Sequence, residues 1–191
     1  MDFADAVCKK YDIMYCIVKT KMIMKKLLVL LLILPLLLLL TGCPYYSKVP
    51  LSATPKTSID TTLLGIWKVA IETPENKSSE MRIIAFNKME YLIEVIDVSP
   101  EKTERYNCRA FITPVGGKNI LNFEELRNKG TYLFFSYNMK NNVLNLEMVS
   151  DVGMKGTYAT SKNLWKAFSK KINDSTFFES GQQFVRKTES F

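Results

Sequence analysis

Acidic side chains are the first candidates for chemistry in this sequence, because the chain contains no histidine. Ser-His-Asp and Cys-His nucleophiles and histidine-based zinc sites are therefore excluded. A pair of carboxylates can still act as general acid and base, as glycoside hydrolysis requires. The available set is Glu94, Asp97, Glu124 and Glu125. They stand at alternating positions in neighbouring predicted strands, so most must face solvent. We predict no enzyme activity, no cofactor and no metal site.

The cysteines are the other reactive side chains, and they stand at positions 8, 16, 43 and 108. Cys108 lies between Tyr106 and Ala110 on the apolar side of a predicted strand, which indicates a small buried side chain. The alternative is a reactive thiol, which would need cationic neighbours that only Arg105 and Arg109 could supply.

The longest apolar run, Leu27 to Leu40, has 14 residues and would cover about 21 Å as a helix. That is short for a hydrocarbon core of about 30 Å. Pro35 stands in the middle, where it costs about 3 kcal/mol in a helix interior. Lysines precede the run and small residues follow it, which is the order of a secretory signal peptide.

The end of this run, Leu40-Thr41-Gly42-Cys43, resembles the lipobox of bacterial lipoproteins. The resemblance implies that signal peptidase II recognises Leu40, Thr41 and Gly42 and cuts before Cys43. It also implies a thiol-linked diacylglycerol on Cys43, so that membrane lipid is the first predicted partner. Several acyl chains on one residue give stable anchoring. The alternative is an ordinary cysteine after an uncleaved anchor.

The predicted organisation of the chain follows from this cleavage site. Residues 1–21 are predicted to be a misassigned upstream start or part of the leader, with Met22 or Met24 as the true start. Residues 22–42 are the predicted signal peptide, 43–60 a lipidated flexible tether, and 61–191 one domain. Pro44 follows the acylated cysteine where aspartate would favour the inner membrane. The resemblance therefore implies an exported protein on the outer membrane if the host is Gram-negative.

Composition places few further limits on the predicted mature chain. It carries 20 Lys and Arg against 16 Asp and Glu, and no dense basic stripe indicates nucleic acid. Cys8 and Cys16 fall in the leader and Cys43 would be acylated, so Cys108 has no internal partner. No disulfide framework is predicted, although export would allow one.

Short apolar segments separated by turn residues predict a mainly β fold, an antiparallel meander barrel of about eight to nine strands. Alternation is clearest at Leu144, Leu146 and Met148. Gly116-Gly117 and Lys140-Asn141-Asn142 are hairpin signals. The period then changes, and "SKNLWKAFSKKI" predicts one C-terminal helix with Ser161 as N-cap, packed on the barrel. "STFFES" and "QQFVRKT" predict two closing strands.

Gly65-Ile66-Trp67 on the first predicted strand resembles the G-x-W signature of lipocalins. The resemblance implies that Trp67 closes the barrel floor and that a basic residue of the last strand, Arg186, stacks across its ring. The helix here precedes the last strands, whereas lipocalins place it after eight. The chain more closely resembles an uncharacterised group of bacterial lipoproteins with small lipocalin-like domains, through "CRAFITPVGGKNILNFEEL", "YLFFSY", "SKNLWKAFSKKINDSTFFES" and "FVRK". That group implies fold and anchoring, but no activity.

The aromatic segment 132–137 is apolar at successive positions, which predicts one face inside the barrel and the other under the helix. A barrel not filled by its own side chains could hold an apolar guest. The predicted lining residues are Phe134, Phe135, Leu144, Leu146 and Met148.

These observations lead to a functional hypothesis. We expect a membrane-anchored, non-catalytic protein whose barrel binds a small apolar molecule or an envelope protein. One alternative is a structural or protein-interaction module of the cell envelope with a filled barrel. A carboxylate-dependent hydrolase is the other.

Overall fold

The structure is a computed structural model that describes residues 43–70, 78–98, 102–179 and 181–187. Its strands follow the predicted alternation. In these residues the strands are β1 (Gly65–Val69), β2 (Ser78–Ala85), β3 (Glu90–Val98), β4 (Thr103–Val115), β5 (Lys118–Glu125), β6 (Tyr132–Lys140), β7 (Val143–Met148) and β8 (Gln182–Arg186). Each strand pairs antiparallel with the next, and β8 pairs with β1, which closes the barrel. The predicted fold class, a mainly β antiparallel barrel with one helix near the C-terminus, is confirmed.

The predicted leader, which comprises residues 1–21 and 22–42, lies outside the described residues. Among the residues described, no helix has the length and apolar character needed to cross a membrane.

Two tight turns define one end of the barrel, here called the closed end, at which β1 begins and β8 ends. Gly116 and Gly117 connect β4 to β5 with φ angles of 55° and 81°, and Asn141 and Asn142 connect β6 to β7 with 52° and 61°. Positive φ at both central residues suits the twist of a two-residue hairpin. Glycine and asparagine tolerate this conformation best. Both predicted hairpin positions are confirmed.

The helix α1 (Ser161–Lys171) lies against the outside of the barrel. Its N-cap is Thr160 rather than the predicted Ser161, since the Thr160 hydroxyl accepts a hydrogen bond from the amide of Asn163 at 3.3 Å. Leu164 and Phe168 are fully buried on the barrel side. The predicted apolar pattern comprised Leu164, Trp165, Phe168 and Ile172, and it gives the correct face for all but Trp165, which is 41% exposed.

Only one of the two predicted closing strands forms. The segment "QQFVR" is β8, whereas "STFFES" makes a single isolated bridge between Phe178 and Val149. Phe177 is fully buried between the helix and the wall. An apolar run of this length can bury its side chains from a loop as well as from a strand, so the pattern alone could not distinguish a strand from a loop here.

Alternation along the strands creates an apolar cluster on each face of the barrel wall. The inner cluster lies inside the barrel and consists of Leu63, Trp67, Val69, Met81, Ile83, Tyr91, Ile93, Ala110, Ile112, Leu121, Phe123, Leu144, Leu146 and Phe184. The outer cluster lies under α1 and consists of Tyr45, Leu51, Val115, Ile120, Phe134, Val149, Met154, Leu164, Phe168, Ile172 and Phe177.

The prediction of a flexible tether over residues 43–60 is wrong. This segment, here called the strap, is bound to the barrel wall. Ser47 and Tyr132 exchange two backbone hydrogen bonds of 3.0 and 2.8 Å, and the amide of Tyr45 donates to the carbonyl of Val149 at 3.0 Å. Leu51 is 2% exposed. The strap contains single, non-periodic apolar residues that complete the outer cluster, and a periodicity argument does not detect them.

Candidate ligand cavity at the open end of the barrel

The closed end is filled by the residues that the G-x-W resemblance singled out. Trp67 and Arg186 are register partners on β1 and β8, and Cζ of Arg186 lies 4.4 Å from the centroid of the fully buried Trp67 ring. The Arg186 guanidinium also donates to the carbonyl oxygens of Leu64 and Thr62, each at 2.6 Å. Gly65 has a φ of 139°, and a Cβ there would lie 2.6 Å from Nη1 of Arg186. Only glycine fits at this position.

Two tyrosines complete this closure beneath the short 3₁₀ turn Thr61–Leu63. The Tyr91 hydroxyl accepts from the amide of Asp60 at 2.6 Å, and the Tyr137 hydroxyl donates to the Asp60 carboxylate at 3.2 Å. Burial, together with the charge of Asp60, raises the pKa of Tyr137 to about 12. The Tyr137 hydroxyl therefore remains protonated at neutral pH and serves as a hydrogen-bond donor.

The opposite end, at which β5 ends and β6 begins, is here called the open end. It contains a cavity of about 630 Å³. The apolar wall of the cavity consists of Met81, Val95, Cys108, Phe123, Leu133, Phe135, Leu146, Met148 and Phe184. The polar lining, here called the rim, consists of Tyr46, Ser79, Asp97, Tyr106, Glu125, Asn128, Thr131, Glu179 and Gln182.

The order of wall and rim follows from strand geometry. Asp97 and Val95 are two residues apart on β3, and Glu125 and Phe123 are two residues apart on β5. Residues two apart point to the same side of a strand. The polar member of each pair stands nearer the open end, so the cavity is apolar in depth and polar at its mouth. This arrangement is typical of sites for small, mostly apolar ligands.

The predicted lining residues fall into three groups. Phe135, Leu146 and Met148 line the cavity. Leu144 lies two residues deeper than Leu146 and is fully buried in the inner cluster. Phe134 does not line the cavity, because it points to the other side of β6, where its ring centroid lies 5.0 Å from that of Phe168. Of the two aromatic residues proposed for the interior, Phe135 takes that position.

Carboxylates supply all the negative charge of the rim. Asp97 accepts a hydrogen bond from the Ser79 hydroxyl, and Glu125 accepts one from Asn128 at 2.8 Å. Oε1 of Glu179 is buried without a hydrogen-bond partner in the described structure. The described lining contains no lysine or arginine, although Lys48, outside it, donates to the hydroxyl of the rim residue Thr131 at 2.8 Å.

The four carboxylates considered for acid and base chemistry do not form one group, because two of them face the cavity and two lie outside the barrel. Asp97 and Glu125 face the cavity, whereas Glu94 is on the outer face, 3.2 Å from Arg105. Glu124, also outside, accepts a hydrogen bond from the amide of Gly130 at 2.8 Å. In the described ranges, no group of three or more cysteine, aspartate or glutamate side chains is arranged to hold a metal ion.

Cys108 lines the cavity without cationic neighbours. Burial, with the nearby charge of Glu125, raises the pKa of the thiol to about 11. Arg105 and Arg109 follow the opposite alternation on β4, and they pair outside the barrel with Glu94 and Glu90 at 3.2 and 2.6 Å. The thiol is therefore protonated at neutral pH and acts as part of the apolar wall.

Cys43 is exposed and is held near the open end by the strap. Its amide donates to the Asp151 carboxylate at 3.1 Å, and its carbonyl accepts from the Asp151 amide at 2.9 Å. Asp151 follows three residues after Met148, and Tyr46, three residues after Cys43, belongs to the rim. A three-residue segment spans at most about 11 Å, so the Cys43 backbone lies within that distance of the cavity mouth. Leu40, Thr41 and Gly42 lie outside the described residues.

Sequence reasoning named only Asp97 and Glu125 of the nine rim residues as candidates for chemistry, and for Tyr46 and Glu179 it also assigned the wrong structure. Tyr46 was assigned to a flexible tether, and Glu179 to a closing strand that does not form. The available signal was the apolar residue next to each of them in the chain, Tyr45 and Phe178. Tyr45 belongs to the outer cluster and Phe178 packs against it, so each holds its polar neighbour in a fixed position. Comparisons of this chain with family models, with curated proteins and with solved structures gave no significant match.

Proposed function

We propose that this protein is an exported lipoprotein, anchored through an acylated Cys43, whose barrel binds a small and largely apolar molecule without transforming it. The cavity at the open end carries this proposal. Its volume of about 630 Å³ lies within the range of roughly 300–1,000 Å³ typical of ligand sites. A barrel that served only as a scaffold would fill this space with side chains, as it does at the closed end.

The arrangement of titratable groups favours binding over catalysis. The Cys108 thiol has a raised pKa, and two of the four carboxylates considered for acid and base roles, Glu94 and Glu124, lie outside the barrel. The other two, Asp97 and Glu125, face the cavity, where each accepts a hydrogen bond from a neighbouring side chain. The cavity offers shape and apolar surface to a ligand instead.

The proposed anchoring is supported by the Leu40-Thr41-Gly42-Cys43 sequence and by the exposure of Cys43. Pro44 favours the outer membrane if the host is Gram-negative. If the cysteine is acylated, a Cys43→Ala chain should lose incorporation of labelled palmitate and leave the membrane fraction. A Cys108→Ala chain is the matched control and should keep both. Labelling of the Cys43→Ala chain would refute the anchoring proposal.

Native mass spectrometry tests the binding proposal. All residues of both clusters lie between positions 43 and 187, so a chain that starts at residue 43 with Cys43→Ser contains the complete core. We expect it to carry a reproducible additional mass of a few hundred daltons after purification from the native host. A chain that starts near residue 57 would lack Tyr45 and Leu51 and is unsuitable.

A matched pair of tryptophan substitutions locates the bound molecule. Val95 lines the cavity, whereas Val98, on the same strand, is 45% exposed. Val95→Trp should fill part of the cavity and remove the additional mass, and Val98→Trp should retain it. An unmodified barrel without bound mass, or equal retention by both variants, would favour the filled structural module instead.

A further inference from the structure

The charged side chains that line the described part of the cavity have one sign. Two lysines stand just outside this lining, where Lys48 donates to the hydroxyl of Thr131 at 2.8 Å and Lys102 pairs with Glu104, the acceptor of the Tyr106 hydroxyl. Three charged side chains are present in the described lining, namely Asp97, Glu125 and Glu179. They come from β3, from β5 and from the segment before β8, so they surround the mouth from different parts of the barrel. Because all three are carboxylates, a part of the ligand that reaches any of them meets negative charge.

These carboxylates retain unused hydrogen-bonding capacity. An ionised carboxylate offers about four acceptor sites. From the described residues, Asp97 receives one side-chain hydrogen bond, from Ser79, and Glu125 receives one, from Asn128. Oε1 of Glu179 is buried and receives none from the described residues. A buried charged oxygen without a donor is unfavourable, and a donor on the ligand would relieve that cost.

Neighbouring groups respond to the same field. The pKa of the Tyr106 hydroxyl is raised, first by its hydrogen bond to Glu104 and further by the charges of Asp97 and Glu125. Burial and then the charge of Glu125 raise the pKa of Cys108. In each case the carboxylate charge of the rim adds to a larger cause, which is the hydrogen bond for Tyr106 and burial for Cys108.

We propose that the ligand is an amphipathic cation, with an apolar body on the cavity wall and a protonated amine or quaternary ammonium group among Asp97, Glu125 and Glu179. This inference rests on the proposed binding function and specifies the class of ligand. The head group supplies the positive charge that the described lining lacks, and a protonated amine also supplies donors. The aromatic rings of Tyr46 and Tyr106, also in the rim, provide faces that attract ammonium groups. A fatty acid would instead place its carboxylate among three like charges.

Three compounds with the same chain and different head groups test this assignment. Isothermal titration calorimetry would compare dodecylamine, dodecanol and dodecanoate, each below its micelle-forming concentration, on the chain that starts at residue 43 with Cys43→Ser. We expect the amine to bind at least about tenfold more tightly than the carboxylate, with the alcohol between them. The preference for the amine should shrink as the salt concentration rises, while the affinity for the alcohol stays constant.

Charge-neutralising variants assign the preference to the rim. The triple variant Asp97→Asn, Glu125→Gln, Glu179→Gln should bring the ratio of amine to carboxylate affinity to about one, while dodecanol still binds. Glu147→Gln is the matched control, because Glu147 neighbours the lining residue Met148 but bonds outside the barrel to the Ser136 hydroxyl at 2.9 Å. The control should keep the full preference.

The possible results separate this inference from the proposal on which it rests. If dodecanol binds and the carboxylate binds as tightly as the amine, the cavity binds ligands but the cationic assignment is wrong. A preference for the amine that survives in the triple variant also overturns the assignment. If none of the three compounds binds, the binding function itself fails.

Discussion

The guanidinium of Arg186 satisfies two backbone carbonyls and covers an indole ring at once. It donates to the carbonyls of Leu64 and Thr62 and lies over Trp67. Removing it would leave those oxygens without their charged donor and expose the ring. Charged hydrogen bonds contribute about 1.5–3 kcal/mol each, and a cation–π contact about 0.5–2 kcal/mol.

We therefore expect Arg186→Ala to lower the free energy of unfolding by about 2–4 kcal/mol. Arg82→Ala is the matched control, because Arg82 is half exposed and makes only a 4.0 Å ion pair with Glu94. An exposed pair of this kind contributes about 0–1 kcal/mol. Urea denaturation of both variants measures the difference. Equal losses would show that Arg186 is not part of the closure.

The thiol of Cys108 provides a second test at the residue scale. With a pKa of about 11, roughly one molecule in a thousand is a thiolate at pH 8, against about a quarter for an ordinary cysteine. The greater nucleophilicity of a high-pKa thiolate recovers about tenfold of this deficit. We expect iodoacetamide to modify Cys108 at least about tenfold more slowly than an exposed cysteine.

The control for this experiment places a cysteine on the same side of the molecule but in solvent. Both chains carry Cys43→Ser, and the control carries Cys108→Ser together with Val98→Cys. Mass spectrometry over time gives the two rates at pH 8. Because the raised pKa limits the thiolate, the Cys108 rate should keep rising with pH after the Val98→Cys rate levels off. Equal rates and pH profiles would contradict the buried, neutral thiol.

At the scale of elements, the strap contributes to the fold. Leu51 is buried in the outer cluster, and its amide donates to Oδ1 of the fully buried Asn122 at 2.8 Å. Nδ2 of Asn122 donates in turn to Thr113 and to the carbonyl of Phe111, at 3.0 and 3.2 Å. One side chain therefore links the strap to two strands of the wall.

We expect Leu51→Ala to lower the free energy of unfolding by about 2–4 kcal/mol, because it opens a cavity under the strap. Lys56→Ala, in the exposed part of the strap, is the control and should change stability by less than about 0.5 kcal/mol. Denaturant midpoints at constant slope measure both effects. If Leu51→Ala is as stable as the control, the strap is not part of the cooperative unit.

The strands could be predicted and the strap could not, for one physical reason. A strand with one face inside and one outside repeats its apolar residues every two positions, so β7 is visible in Leu144, Leu146 and Met148. The strap buries only isolated residues such as Tyr45 and Leu51, among prolines, serines and threonines. The cavity was equally inaccessible to sequence reasoning, because its volume depends on how far inward side chains from seven strands reach.

At the scale of the whole molecule, the strap relates the cavity to the proposed anchor. Both backbone groups of Cys43 bond to Asp151, and the neighbouring Val152 is 54% exposed. A flexible tether would let the barrel rotate freely above a membrane. A strap bound up to Cys43 itself leaves no such linker, so acyl chains on this residue would hold the open end close to the bilayer.

If Cys43 is acylated as proposed, this geometry predicts which end of the protein meets lipid. An environment-sensitive fluorophore on Val152→Cys should shift to shorter wavelength in vesicles and be quenched by lipids carrying spin labels in their headgroups. The same fluorophore on Lys88→Cys, in the closed-end turn between β2 and β3, should show neither effect, because the barrel separates the ends by about 20 Å. Both chains carry Cys108→Ser and retain Cys43. Equal quenching at the two positions would mean that the barrel lies on its side or stands away from the membrane. A bilayer-facing mouth would allow an amphipathic ligand to pass between lipid and cavity without crossing water.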